Sequence, residues 1–283
     1  MTEYLVVGRS NGTTRLGSPY CNLKIKNLDE EMSLAVWEVA PDDAPVVGQL
    51  VSFVNIQNND GKRSARKGDM RPGAMPDPSH HLYALLPRPV ARDVWEATVA
   101  HLLMLCEGSP LAEMIGDVAD KLYQPYSQYP AATSIHHAFR GGLLNHTYQM
   151  LHMLEGLAPC LPYPVRVDHC VVAILFHDYG KIQTYARDGE AQPVNSLLGH
   201  IYISAVALQR ELERRQVPAD EVERIVHIVL SHHGQLDYGS PVMPCSQEAM
   251  LVHMLDNLSA KADTIENSGN MEYVAPLGTR VVK

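Results

Sequence analysis

Phe176-His177-Asp178-Tyr179-Gly180-Lys181 is the stretch on which the reading of this chain turns. A histidine beside an aspartate lets two adjacent side chains reach one metal centre. The glycine two residues on permits a tight exit from a helix, and the lysine sets a fixed cation beside the site. The segment before it, Arg166 to Phe176, carries apolar residues at three- and four-residue steps, which predicts a buried helix ending at the pair. His and Asp residues recur at helical positions on both sides.

Outward from that helix the same periodicity marks Val94 to Cys106, Leu111 to Tyr123, Gly142 to Leu157, Leu197 to Arg215, Asp220 to His232 and Gln247 to Ala262. Prolines and glycines punctuate the gaps, and Pro218 and Ser246 stand where helix-start residues belong. Residues 1–93 read differently. Glu3 to Val7, Tyr20 to Ile25, Leu34 to Val39 and Leu50 to Ile56 are short strands, with a turn expected at Asn11-Gly12. Such spacing suggests a small barrel or sandwich. The polar segment 58–79, rich in Gly, Pro and charge, is expected to be a long basic loop. The predicted organisation is a β domain over 1–93 and an all-α helical bundle over 94–283.

At 283 residues, with 46% hydrophobic and 19% charged side chains, the chain has an ordinary globular balance. It lacks an apolar run of the ~20 residues that would span a bilayer, and no signal peptide is evident. Five scattered cysteines with no Cys-x-x-Cys pair suggest reduced thiols in the cytoplasm. The net charge of -9 lies entirely after residue 95, because the first 95 residues hold eleven basic and eleven acidic side chains. An acidic chain usually avoids nucleic acid, but bound divalent cations would offset the deficit locally. Charge alone does not choose the partner.

Histidine is the outlier at 14 residues. His146, His177-Asp178, His200, His232-His233 and Asp256 each lie in or at the end of a predicted apolar helix, where an uncompensated polar group is costly. Inward-pointing side chains of a bundle converge on one pocket. Imidazole and carboxylate without cysteine favour Mn, Fe, Co, Ni or Zn. With Asp178 as bridge, the set suits two ions about 3.5–4 Å apart, a spacing used to hydrolyse phosphate esters. His101, His152, His169, His227 and His253 read as ordinary core or surface histidines.

The spacing His146…His177-Asp178…Asp256, completed by Gly180-Lys181, resembles the HD-domain superfamily of metal-dependent phosphohydrolases. Ser134 through Thr147, Leu197 through Ile201, Ser231-His-His-Gly234 and Gly239-Ser-Pro241 resemble its YhaM-type branch of bacterial 3′→5′ exoribonucleases, which carry an N-terminal OB-type barrel. In the β half, Leu16 to Tyr20 and Leu34 to Trp37 resemble that barrel's turn and third strand. The resemblance implies His146, His177, Asp178 and Asp256 as metal ligands. It adds His200 and one of His232 or His233 for a second ion, with His232 favoured.

The resulting expectation is a 3′→5′ exonuclease degrading single-stranded RNA, and single-stranded DNA as a further substrate. Hydroxide generated between two divalent ions, manganese foremost, would attack phosphorus in line. Lys181 would add a cation to the phosphate. His136 and His137 would contact the phosphate or protonate the leaving oxygen, with a helix-start role as the alternative. Lys62, Arg63, Arg66, Lys67 and Arg71 form the one basic cluster and are candidates for the strand's backbone. Tyr4, Tyr20, Trp37 and Phe53 are assigned to the barrel core. The rival readings are an HD-type nucleotide or cyclic-nucleotide phosphohydrolase and a single-strand-binding module with a structural metal. Self-association into a homo-oligomer is compatible with all of them.

Overall fold

The computed structural model describes residues 1–59, 61–132, 136–185, 197–268, 273–274 and 277–282. A curled β-sheet half-barrel comes first, and an all-helical region follows. Strands β1 (Glu3–Thr13), β2 (Pro19–Lys26) and β3 (Glu31–Trp37) form an antiparallel meander. Alternation sets its faces: Cys21, Leu23, Ile25, Met32, Leu34 and Val36 point inward, while Asn22 and Ser33 face out. β4 (Leu50–Phe53) pairs antiparallel with β1, and β6 (Lys62–Arg66) runs parallel to β3. β5 (Gln57–Asn59) pairs with β6, and β7 (Met70–Pro72) with β4. The sheet order is β5-β6-β3-β2-β1-β4-β7. Its two ends belong to one bent hairpin, since β4 runs on into β5 and β6 into β7. Chain connectivity thus brings the edges of the curl toward each other, as in an OB-type barrel.

Three expectations for this half need correction. Asn11-Gly12 is not a turn: β1 continues to Thr13, and the chain reverses at Thr14 to Ser18, where Gly17 has φ +84°. Gly12 is small for a different reason, because a Cβ there would lie 2.4 Å from the Tyr20 ring crossing it. Segment 58–79 is not one long loop. Polar composition concealed β5, β6, a 3-10 turn and β7, in which only Ala65 and Met70 are buried. Such a strand hides its alternation, since its outward positions and most of its inward ones are hydrophilic. Finally, Tyr4 and Phe53 are core, but Trp37 is 39% exposed and tilts against Tyr20 at 5.2 Å between ring centroids.

The helices are α1 (Arg92–Leu105), α2 (Ala112–Tyr126), α3 (Gly142–Leu157), α4 (Val167–Phe176), the single turn α5 (Lys181–Thr184), α6 (Gly199–Arg214), α7 (Ala219–Ser231) and α8 (Gln247–Asn267). Ser246 caps α8 by accepting the Ala249 N–H at 3.0 Å, as its position suggested. The α8 helix runs five residues beyond the predicted end. The sequence reading missed α5 and a two-residue ladder of β8 (Tyr273–Val274) with β9 (Thr279–Arg280).

The α4 helix is the axle of the helical region. Every residue from Asp168 to Phe176 is buried, and α1, α2, α3, α6, α7 and α8 pack around it. A helix apolar on all sides belongs at a core centre. It leaves the polar residues at its C-terminal end, His177 and Asp178, buried as well. Gly180 does not serve to break the helix, since its φ is an ordinary -59°. It lets the start of α6 come close: a Cβ there would meet the His200 carbonyl oxygen at 2.3 Å. Gly180→Ala should therefore cost about 1–3 kcal/mol by overpacking. Chemical denaturation measures this, and a variant as stable as the parent would contradict the close approach.

Candidate metal centre

Six elements deliver the polar cluster. His177 and Asp178 leave the end of α4, and Lys181 opens α5. His146 comes from α3, Asp256 from α8, His200 from the first turn of α6, and His232 and His233 directly follow α7. His146, His177, Asp178 and His232 are at most 1% exposed.

Asp178 is the centre of the arrangement. Its Oδ2 lies 3.2 Å from His177 Nε2, 3.8 Å from His146 Nε2 and 2.6 Å from the ammonium of Lys181. Its Oδ1 faces the other way, 3.4 Å from His200 Nε2 and 3.8 Å from His232 Nε2. Asp256 Oδ1 sits 3.0 Å from His146 Nε2. Two groups therefore have ligand atoms within 4.8 Å of one another: His146, His177 and Asp178, and His200, His232 and His233.

The histidine tautomers follow from what holds the other ring nitrogen. His177 Nδ1 donates to the Ile174 carbonyl at 2.7 Å, His232 Nδ1 to Val229 at 2.6 Å and His233 Nδ1 to Tyr238 at 2.7 Å. His146 Nδ1 lies 2.9 Å from Ser259 Oγ, whose hydroxyl in turn donates to Gln149. With Nδ1 held in this way, the Nε2 atoms of His146, His177 and His232 turn to the centre. His146 and His177 place these nitrogens 3.2 Å apart. Asp178 Oδ1, His200 Nε2 and His232 Nε2 are buried without a hydrogen-bond partner. Lone pairs and carboxylates gathered this way repel one another unless a cation lies among them. The donor set fits divalent metal, and second-atom hydrogen bonds of this kind orient imidazole ligands.

The electrostatics agree. Burial alone would raise the Asp178 pKa, but Lys181 first and then His177 and His200 hold it well below the carboxylate range. Burial works against the charge of His177 as well, yet Asp178 more than offsets it and its pKa is raised. Burial and then Lys181 push His200 down to about 3. Burial, followed by His233, holds His232 far below the ordinary imidazole value. Lys181 is itself buried, so it is not a solvated helix-end lysine.

His136 and His137 lie at the edge of the cluster, their rings 6.0 and 5.4 Å from that of His146. They precede α3 by several residues and are not its start; Ser134 and Ile135 of the same motif lie outside the described residues. Of the histidines read as ordinary, His101 and His152 contact Glu155 on the surface. His227 accepts the Cys245 N–H, and His169 is buried in the bundle. His253 donates to the His232 carbonyl at 2.8 Å, which places it one step behind the cluster. The basic residues are on the barrel. Lys62, Arg66 and Lys67 are exposed, Arg63 is half-buried, Lys67 pairs with Asp43 at 2.7 Å, and Arg71 donates to the Gly68 and Met70 carbonyls.

Sequence reasoning missed Ser259, Gln149, Ser204 and Asp263. Ser259 stands one helical turn after Asp256, the only signal it offered. Ser204 accepts the Gly180 N–H at 2.9 Å and fixes α6 against the end of α4.

Comparison with known proteins places the site in a family. The HD domain family matches residues 143–261, which hold the cluster from His146 to Asp256. The protein named 3′-5′ exoribonuclease YhaM of Bacillus velezensis is 26% identical over 96% of this chain and 88% of its own. Its namesakes in a Geobacillus species (27%, over 96% and 85%) and Bacillus subtilis (26%, over 97% and 88%) are similar to a like degree. No solved structure matches the chain. The match over residues 143–261 and the similarity along nearly the whole chain support a place in the YhaM-type HD family.

Proposed function

We propose that this protein is a metal-dependent 3′→5′ exonuclease that shortens single-stranded RNA, and single-stranded DNA where offered. The observation that carries the reading is the division of Asp178: one carboxylate oxygen faces His146 and His177, the other His200 and His232. A carboxylate shared between two histidine sets suits a pair of ions. His146, His177, Asp178 and Asp256 would hold the first, and Asp178, His200 and His232 the second. His232 is favoured over His233 because its Nε2 is buried and turned to Asp178. Divalent transition ions, manganese foremost, activate water and neutralise phosphate charge when bound there. Lys181 holds a positive charge against Asp178 for the phosphate side. His136 and His137 face the same edge with little access to water, which suits contact with the scissile phosphate or its leaving oxygen. The relatives' names point to RNA and to the direction of attack. Five scattered cysteines with no Cys-x-x-Cys pair fit the cytoplasm.

Digestion of 5′-labelled single-stranded RNA and DNA with manganese, beside a mononucleotide control, tests the reading. A ladder shortening from the 3′ end is expected, and Asp178→Ala should abolish both metal uptake and hydrolysis. Hydrolysis of the mononucleotide alone would favour the nucleotide phosphohydrolase. Binding without any hydrolysis would leave a single-strand-binding module.

Metal binding should also release protons. Because the His177 pKa is raised above the ordinary 6.5, its proton persists to higher pH than on free imidazole, and an incoming cation must displace it. Affinity should keep rising with pH past 6.5 and level off once His177 is neutral. Calorimetry at neutral pH in buffers of different ionisation enthalpy reads the released proton. An identical heat in every buffer would contradict the assignment of His177.

The exposed cations of β6 and β7 are proposed to track the strand's backbone. Neutralising Lys62, Arg63, Arg66 and Arg71 together should weaken strand binding and reduce the salt slope by about 0.7 for each phosphate no longer neutralised. Lys67 should matter least because Asp43 already pairs with it. Affinity and slope unchanged across a salt titration would remove the barrel face from the substrate path.

A further inference from the structure

The turn before α3 is held by a residue with no role in the proposed metal set. His137 has φ +47°, a left-handed backbone that is uncommon for a bulky side chain and costs free energy unless its surroundings impose it. Three interactions impose it here. The His137 N–H donates to Asp263 Oδ2 on α8 at 2.7 Å. The His137 carbonyl accepts the Ala131 N–H at 3.1 Å. Gly142, opening α3, leaves room for that carbonyl, which a Cβ would meet at 1.9 Å.

The product of this constraint is a buried ring. His137 is 2% exposed, and neither buried ring nitrogen has a hydrogen bond, though Nε2 faces Asp263 Oδ1 at 3.8 Å. The ring packs 5.4 Å from that of His146 and 6.2 Å from that of His136. A buried ring with no hydrogen bond to either nitrogen, on a backbone held in an unfavourable conformation, is costly to keep and points to a role beyond stability. Asp263 is fixed in turn: Asn267 donates to the same Oδ2 at 2.9 Å, and both residues lie on one face of α8, two turns and more beyond Asp256. The helix that carries the last member of the metal cluster therefore also carries the clamp on the histidine turn.

We propose that Asp263 is a positioning residue. Through the His137 amide it holds the left-handed turn that presents His136 and His137 to the substrate edge of the metal centre. Its effect on turnover rests on the phosphodiesterase reading; its effect on the turn does not. A small displacement of aligned groups can cost about a hundred-fold in rate. Asp263→Ala should accordingly lower kcat by about ten-fold or more while KM stays within about two-fold, the pattern expected when an interaction made only in the transition state is removed. Manganese affinity by calorimetry should be unchanged. Asp263→Asn, whose amide oxygen accepts the same N–H, should recover much of the rate.

Two further measurements keep the idea exposed to refutation. His137→Gly removes the ring that the clamp positions, so adding Asp263→Ala to it should lower kcat far less than in the parent, a double-mutant cycle. Carbethoxylation followed by mass spectrometry reads the turn without any turnover: His137 should be protected in the parent and reactive in Asp263→Ala. Multiplying effects in the cycle, or protection unchanged by Asp263→Ala, would overturn the proposal. A parent with no metal-dependent hydrolysis but with the expected change in protection would instead defeat the exonuclease reading alone.

Discussion

A carboxylate buried at the end of an apolar helix is the constraint to which this molecule answers. Asp178 is carried inward because α4 has no polar face and must lie at the centre. An ionised carboxylate in such a place is tolerated only when cations surround it; leaving one unpaired costs about 3–5 kcal/mol. Lys181 supplies a cation from α5, while His146, His200, His232 and Asp256 bring donor atoms from other elements that call for a further cation among them. The packing of the bundle and the composition of the site are thus one problem. Moving α3, α6, α7 or α8 relative to α4 changes the compensation of Asp178.

Much of this is legible from periodicity. The apolar steps mark the seven long helices, and the placement of His and Asp at their inner ends marks the converging side chains. The clustered His and Asp residues are readable because their type is rare in apolar helices. Ser259, Gln149 and Asp263 are not readable, because serine, glutamine and aspartate on a helix are ordinary until something is found to touch them. Gly180 stands out in the sequence for the wrong property, since only the approach of α6 reveals that space, and not backbone freedom, is what it supplies.

The barrel half is less transparent. Its meander announces itself by alternation, but β6 shows Lys, Arg, Ser, Ala and Arg with only Ala65 buried. A strand whose inward positions are mostly half-covered carries almost no hydrophobic period, so composition suggests a loop. Parallel pairing with β3 at Leu34 to Trp37 is what orders it. The basic residues consequently stand on a fixed register, at set intervals along the barrel, and not on a free tether.

The segment joining the two halves is moored to α3. Asn145 accepts the Val90 N–H at 2.7 Å and donates to the Arg88 carbonyl at 2.9 Å, while Tyr123 donates to the Val90 carbonyl at 3.0 Å. Pro89 lies over Gly141, where a Cβ would come within 2.7 Å. Asn145 is the immediate neighbour of His146. A displacement of the barrel is therefore delivered to the peptide unit beside the first imidazole of the cluster. The connection works as a hawser made fast at the workplace, and not as a slack cord between two bodies.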